Sequence, residues 1–238
     1  MKILFAVICS GLALSLQAQT TITKSYATQP DQRINLKFDY PVIKISTWAK
    51  NEVSVIAHVK INDDENDGAF SLDEKTVDSV MTISDQIKDI DKLPRRHIIV
   101  VDGKKTTFKS KQEYLASQKN GNIQPSYEES DINVVLEINI PEHAVTDVKA
   151  IYGIVELNNF NAPVNIDATY GGIDATIAAE HTVKIKATTN YGQLLTNLDL
   201  HLTNHVDQDF FHSITAEQGE GPVYNFTSAY GKIYLRKP

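Results

Sequence analysis

The sequence predicts an all-β chain: a β-solenoid or rolled-sheet repeat architecture with a partly irregular middle insertion. Three observations predict it. Apolar residues alternate with polar ones at a period near two through most of the chain. Tyr-Gly steps recur at Tyr152-Gly153, Tyr170-Gly171, Tyr191-Gly192 and Tyr230-Gly231, spaced by 18, 21 and 39 residues, the last close to two periods. A repeat near 20 residues marks stacked units. Helix signal is almost absent from Ile132 to Pro238. A β-sandwich that happens to carry four such steps is the alternative.

Taken in order, MKILFAVICSGLALSLQAQ reads as a secretory leader over residues 1–18. Lys2 opens it, an apolar run from Ile3 to Leu16 follows, and Leu16-Gln17-Ala18 offers a small residue for cleavage. The run is short of the ~20 residues that span a bilayer. Cys9 is preceded by Ile8, where a lipidated cysteine needs a small residue. With the leader removed no cysteine remains, which excludes disulfides, thiolate metal sites and cysteine nucleophiles. The formal charge moves from −7 to −8 when Lys2 leaves. An acidic surface repels phosphate backbones, so nucleic acid is excluded as a partner. No later segment is long and apolar enough for a transmembrane segment in the mature chain.

Residues 19–238 form the expected single domain. The runs Ile34-Leu36-Phe38, Val42-Ile43-Ile45 and Val53-Val55-Ala57-Val59-Ile61 read as strands, with Lys50-Asn51-Glu52 turning between two of them. Trp48, the one tryptophan, reads as a core plug. The insertion, about residues 63–131, is acidic first (DDENDGAFSLDE) and then basic (KLPRRHIIVVDGKKTTFKSKQ). It predicts strands at SVMTISDQI and HIIVVDG, a short helix near Gly68 to Lys75, and a helical turn at Gln112 to Gln118. The insertion is expected to cover one end or flank of the repeats. The clearest repeats run from 132 to 238, opening on the strand INVVLEINIPEH that Pro141 stops.

Aligning on the tyrosines gives columns. Four residues before stand Val148, Ile166, Ala187 and Phe226, and two before stand the small Ala150, Ala168, Thr189 and Ser228. Three after come Val155, Ile173, Leu194 and Ile233; five after come Leu157, Ala175, Thr196 and Leu235. Even steps keep a strand's side chains on one face. The columns before and after the tyrosine have opposite parity, so the chain must change face at a corner. Glycine tolerates unusual corner angles, and the small column leaves room for a ring stacking on its neighbours.

The run VVLEINIPEHAVTDVKAIYGIVELNNFNAPVNIDATYGGIDATI resembles the bacterial adhesin-like family of β-solenoids, an exported, Bacteroidetes-like type. It carries that family's extended strand ending in Ile140-Pro141, then small-x-x-Gly-x-Ile-x-Leu repeats. VIKISTWAKNEVSVIAHVKI resembles the family's opening, an apolar strand, a tryptophan, a polar turn and a second strand. The resemblance covers about two thirds of the mature chain and implies a secreted or envelope-associated protein without an established enzymatic activity. The middle insertion follows the family pattern least.

Among constellations, Asp63 to Glu74 fits an EF-hand calcium loop at Asp63, Asp67, Gly68, Phe70 and Glu74. Glu65 in third place and a preceding strand argue for a solvated acidic turn. His201 and His205 have the spacing of a zinc pair, with Asp207 and Asp209 nearby, but lack the H-E-x-x-H glutamate. His58, His97, His143, His181 and His212 are scattered. Asn225-Phe226-Thr227 is a glycosylation sequon, which the resemblance to a bacterial family implies is without consequence. The outward positions Glu156, Asp167, Asp174, Lys184, Lys186 and Lys232 are mixed in sign, the pattern of a solvated face. No catalytic, cofactor-binding or metal-ligating residue is assigned. The expected function is an exported, non-enzymatic cell-envelope or surface interaction protein, an adhesin-like scaffold in the periplasm, on the surface or outside the cell. Its partner would be a cell-surface protein or glycan. The alternatives are a polysaccharide-active solenoid enzyme, with Asp167 and Asp174 clustered in a groove, and a calcium-dependent binding module.

Overall fold

The computed structural model describes residues 19–118, 125–178, 184–217 and 219–238. The expected leader, Cys9 and His181 lie outside them. Among the described residues 58% are strand and 6% helix, so the all-β expectation holds.

The first strands are β1 (Thr20–Ala27), β2 (Arg33–Phe38), β3 (Val42–Trp48) and β4 (Glu52–Ile61). The middle supplies β5 (Phe70–Val77), β6 (Val80–Ile87), β7 (Arg96–Val101), β8 (Lys104–Phe108), helix α1 (Lys111–Ser117) and β9 (Tyr127–Glu129). Then come β10 (Ile132–Pro141), β11 (Thr146–Ala150), β12 (Val155–Leu157), β13 (Val164–Ala168) and β14 (Ile173–Thr176). The last are β15 (Lys184–Thr189), β16 (Leu194–Thr196), β17 (Leu202–Gln208), β18 (Phe211–Glu217), β19 (Val223–Ser228) and β20 (Ile233–Arg236).

Two large sheets hold most of them, in the orders β1-β4-β10-β3-β12-β14-β20-β16 and β17-β18-β15-β19-β13-β11-β2-β6-β5. Five strand pairs link the sheets: β2/β3, β11/β12, β13/β14, β15/β16 and β19/β20, each placing its first strand in the nine-stranded sheet and its second in the eight-stranded one. Neighbouring pairs run parallel, and the sequence columns become ladders. Leu36, Val148, Ile166, Phe226 and Ala187 align in one sheet; Ile43, Val155, Ile173, Ile233 and Leu194 align in the other. Their inward side chains, with Phe38 and Phe226 among the largest, merge into one buried cluster. No pair could bury this surface alone.

The stacking order departs from the chain order. The last pair, β19/β20, lies between β13/β14 and β15/β16. The 39-residue spacing is therefore not two periods: it contains the hairpin β17–β18, which extends the nine-stranded sheet antiparallel beyond β15. At the other end, β10, β4 and β1 extend one sheet and β6 and β5 the other. Antiparallel strands thus occupy three of the four sheet edges, at β1, β5 and β17, where a bare parallel edge would invite self-pairing; the fourth edge is β16, parallel to β20.

The middle divides in two. β5 and β6 join the nine-stranded sheet through β2, whereas β7, β8 and β9 form a separate three-stranded sheet. The helix expected near Gly68 to Lys75 does not form. A 3₁₀ turn at Asp67–Ala69 leads at once into β5, whose Phe70 and Leu72 point inward at strand spacing. The turn expected at Gln112 to Gln118 is α1: Ser110 accepts from Glu113 N (3.2 Å), and Glu113 reaches back to Lys109 N (2.7 Å). Trp48 is no core plug. It is half-buried at the end of β3, its Nε1 donating to Glu52 O (2.8 Å) and Lys50 lying over its ring.

Candidate functional site

The Tyr-Gly steps lie at the corners between the paired strands, and the corners are stacked by hydrogen bonds. Tyr152 N donates to Asp39 O, Tyr170 N to Ile151 O, Tyr230 N to Thr169 O and Tyr191 N to Ala229 O, all at 2.8–3.0 Å. The rings form a row in the order Tyr40, Tyr152, Tyr170, Tyr230, Tyr191, with centroids 5.1 to 5.4 Å apart. Tyr40, followed by Pro41, is a fifth rung that a search for Tyr-Gly misses. Phe210, from the β17–β18 turn, leans on Tyr191 at 5.8 Å and closes that end.

Glycine follows the tyrosine for want of space. None of the four corner glycines has a positive φ. A Cβ on Gly171 would stand 1.9 Å from Gly153 O, one on Gly231 1.6 Å from Gly171 O, and one on Gly192 1.9 Å from Gly231 O. The small column also has another role than making room for rings, which project outward. Ser228 donates to Gly171 O (3.1 Å) while accepting from Gly231 N (2.9 Å), and Thr189 does the same one rung on with Gly231 O and Gly192 N.

The exposed tyrosines edge a cleft of about 640 Å³ over the eight-stranded sheet. Its floor dips at Gly172, where a Cβ would meet Lys232 O at 2.6 Å. Ile154 and Glu156 line it on one side of the dip, Lys232 and Tyr234 on the other. Asp174 is held through both oxygens by Arg236 (2.6 and 3.0 Å), whose guanidinium also lies over Tyr234. Asp167 stands on β13, in the other sheet, so the structure does not bring Asp167 and Asp174 into one groove. The sequence made Glu156 and Lys232 part of a solvated face; here they line a recess.

The outer face of the nine-stranded sheet differs. Asn225 donates to Asn165, Asn165 to Asp147 (both 2.8 Å), and Arg33 clamps Asp147 with two bonds. This row satisfies itself, and the Asn225 amide of the sequon is committed to it.

At the foot of the tyrosine row, Asp85 accepts from Asp39 N (3.0 Å), while its other oxygen is buried with no partner among the described residues. Burial is the main cause that pushes its carboxyl up from 3.8 to about 6. The folded chain therefore holds a proton that the unfolded chain has released between roughly pH 4 and 6. Stability falls as pH rises through that window, and the penalty is complete above it. Asp85→Asn is expected to gain about 1–3 kcal/mol at pH 7.5 and little at pH 3.5. Urea midpoints at the two pH values check this.

The acidic loop is occupied with structural bonds. Asp67 is buried and accepts from Ile61 N (2.7 Å); Glu65 pairs with Lys109 and Arg96, which together hold its carboxyl below the usual range. Glu74 lies along β5, accepting from Thr76, so the twelfth position of the calcium pattern is part of a strand. His201 and His205 are exposed, and a bulge between Leu202 and Asn204 breaks the parity that would have put them on one face. His212 meets Asp207 at 2.5 Å. Among the described residues no three histidines, cysteines or carboxylates converge as a metal-holding group. No helix among them is long and apolar enough to cross a membrane.

The chain matches no family model, and no curated protein matches it. It is similar to the crystal structure of a "putative cell adhesion protein" from Clostridium sporogenes ATCC 15579, at 14% identity over 93% of this chain and 100% of that one, with a TM-score of 0.45. A "putative adhesin" from Bacteroides fragilis NCTC 9343 is also similar, at 10% identity over 93% and 98% of the two chains, with a TM-score of 0.22. At these identities the likeness assigns no family.

Proposed function

We propose that the protein is an exported, non-enzymatic cell-envelope or surface interaction protein, a rigid adhesin-like scaffold. Residues 1–18 are its removed leader, and residues 19–238 are one domain of β-solenoid type. The observation that carries the reading is the row of exposed tyrosines beside a cleft. Aromatic groups that a fold leaves in water as one contiguous strip mark an interaction surface. Parallel strands bonded rung to rung hold that strip in a fixed geometry, which lowers the ordering cost of binding. The leader pattern and the acidic charge support export and a partner other than nucleic acid.

Purified protein immobilised on a resin should retain material from a cell-envelope extract and release it to free protein. No retention above a bare resin would refute the role.

A second reading, a polysaccharide-active enzyme, draws on the presence of Glu156 and Asp174 in the cleft. The Arg236 clamp on Asp174 is the bond pattern of a structural ion pair. Release of reducing ends from a glycan, lost in Glu156→Gln, would favour that reading over the first.

A further inference from the structure

The five tyrosine rings face one another, so each covers its neighbour's face and shows solvent an edge and a hydroxyl. Tyr152, Tyr170, Tyr230 and Tyr191 are 55, 54, 51 and 62% exposed. No described residue hydrogen-bonds the five hydroxyls, and Glu156 and Lys232 have no ion-pair partner among the described residues. The polar row on the opposite sheet is bonded along its length; this one is not.

We propose that the tyrosine row and the cleft at Gly172 form a binding groove for a neutral, extended polysaccharide lying across the strands, one sugar to each rung. The proposal rests on the surface-interaction role above and names its ligand class.

The spacing selects the ligand. An extended β-1,4-linked pyranose chain advances per sugar by close to one strand spacing, about 4.8 Å, and turns alternate sugars over, so each rung meets one sugar and every second rung meets the same face. The rungs repeat at 5.1 to 5.4 Å. An extended peptide returns a side chain to the same side only every ~6.6 Å. A polyproline helix repeats every ~9 Å. Neither keeps step with the row.

The chemistry agrees. Sugar hydroxyls donate and accept, and so do phenols; the Glu156 carboxylate accepts and the Lys232 ammonium donates from opposite sides of the dip. Ile154, 45% exposed, offers an apolar contact for ring C–H groups. One free acid and one free base at the dip favour an uncharged ligand. The formal charge of −7 opposes an acidic one.

The test titrates the purified protein calorimetrically with cello- and chito-oligosaccharides from dimer to hexamer, with a heparin hexasaccharide for comparison. Affinity should climb with each added sugar up to five or six and then level, and heparin should give no heat. The variant Tyr152→Phe/Tyr170→Phe/Tyr230→Phe keeps the ring stack and removes three hydroxyls. It should melt like the wild type and bind the hexamers at least tenfold more weakly.

Absence of hexamer binding at millimolar ligand, an affinity independent of length, or unchanged binding by the triple variant would each overturn the groove. Equal binding of heparin would overturn the neutral class. The same variant on the envelope resin separates the two readings. Retention that survives it leaves the surface role standing without the groove; hexamer binding without envelope retention leaves the groove and removes the role.

Discussion

Gly171→Ala is expected to cost about 3 kcal/mol, the upper end of the usual overpacking range and a large share of the ~5–15 kcal/mol that holds a domain together. The added methyl has nowhere to go. It would stand 1.9 Å from Gly153 O, 2.5 Å from Gly153 C and 3.1 Å from Tyr152 O, all backbone atoms of the rung beneath. Backbone cannot rotate away as a side chain does, so the corners must part by an ångström or more. Parting them stretches Tyr170 N to Ile151 O and Thr169 N to Ala150 O, and loosens the ring stack above. The effect is steric overpacking and owes nothing to helix propensity or dihedral strain. Gly68→Ala is the matched comparison: nothing lies within 4 Å of its Cβ, so its change should stay within about 0.5 kcal/mol. Urea unfolding of both variants checks the pair. A midpoint for Gly171→Ala within error of the wild type would mean that the corners are not in contact.

The corners show what was legible in the chain. The columns around each Tyr-Gly step carried the ladder register, because side chains that stack one above another face one environment and share its polarity, even where Ala187 and Phe226 differ widely in size. The same uniformity hid the stacking order. Five rungs with interchangeable interiors cannot say which lies beside which, and so β19/β20 could be placed between β13/β14 and β15/β16 only from the structure. The first rung escaped because Pro41 stands where the others have glycine; its carbonyl lies beneath Gly153, 1.6 Å from where a Cβ would be. Glycine was legible as a requirement, but its cause was misread as backbone angle, since close approach leaves no trace in a one-dimensional pattern. The cleft was illegible for a related reason. Glu156 and Lys232 look like any alternating polar residues until the missing side chain at Gly172 is seen to lie between them. The acidic loop misled in the opposite sense: its spacing suited a metal, while the partners of Asp67 and Glu65 come from Ile61, Arg96 and Lys109.

That loop begins at Asn62, and Asn62→Ala is expected to cost about 3 kcal/mol. Asn62 is fully buried at the end of β4, with φ at 53°, a left-handed conformation that asparagine adopts more readily than alanine. Its Nδ2 donates to Asn66 Oδ1 and to Pro94 O, and its Oδ1 accepts from Asp131 N, each at 2.9 Å. One side chain thus ties the end of β4 to the approach of β7 and the start of β10. Alanine leaves the half-buried Asp131 N–H without its acceptor, at about 1–3 kcal/mol for a buried group left unpaired, and takes from the exposed Pro94 carbonyl its shorter bond, leaving it Ser130 Oγ at 3.4 Å. Asn62→Gly tells the two causes apart, because it relieves the dihedral and keeps the loss of bonds. If the bonds dominate, both variants should unfold at similar urea concentrations. If the dihedral dominates, the glycine variant should sit near the wild type. Hydrogen exchange locates the damage: amides of β7 and β9 should lose protection first, while the core rungs around Ile166 and Phe226 stay slow. Uniform loss across the chain would show that the three-stranded sheet and the main stack unfold as one unit, joined by more than this asparagine.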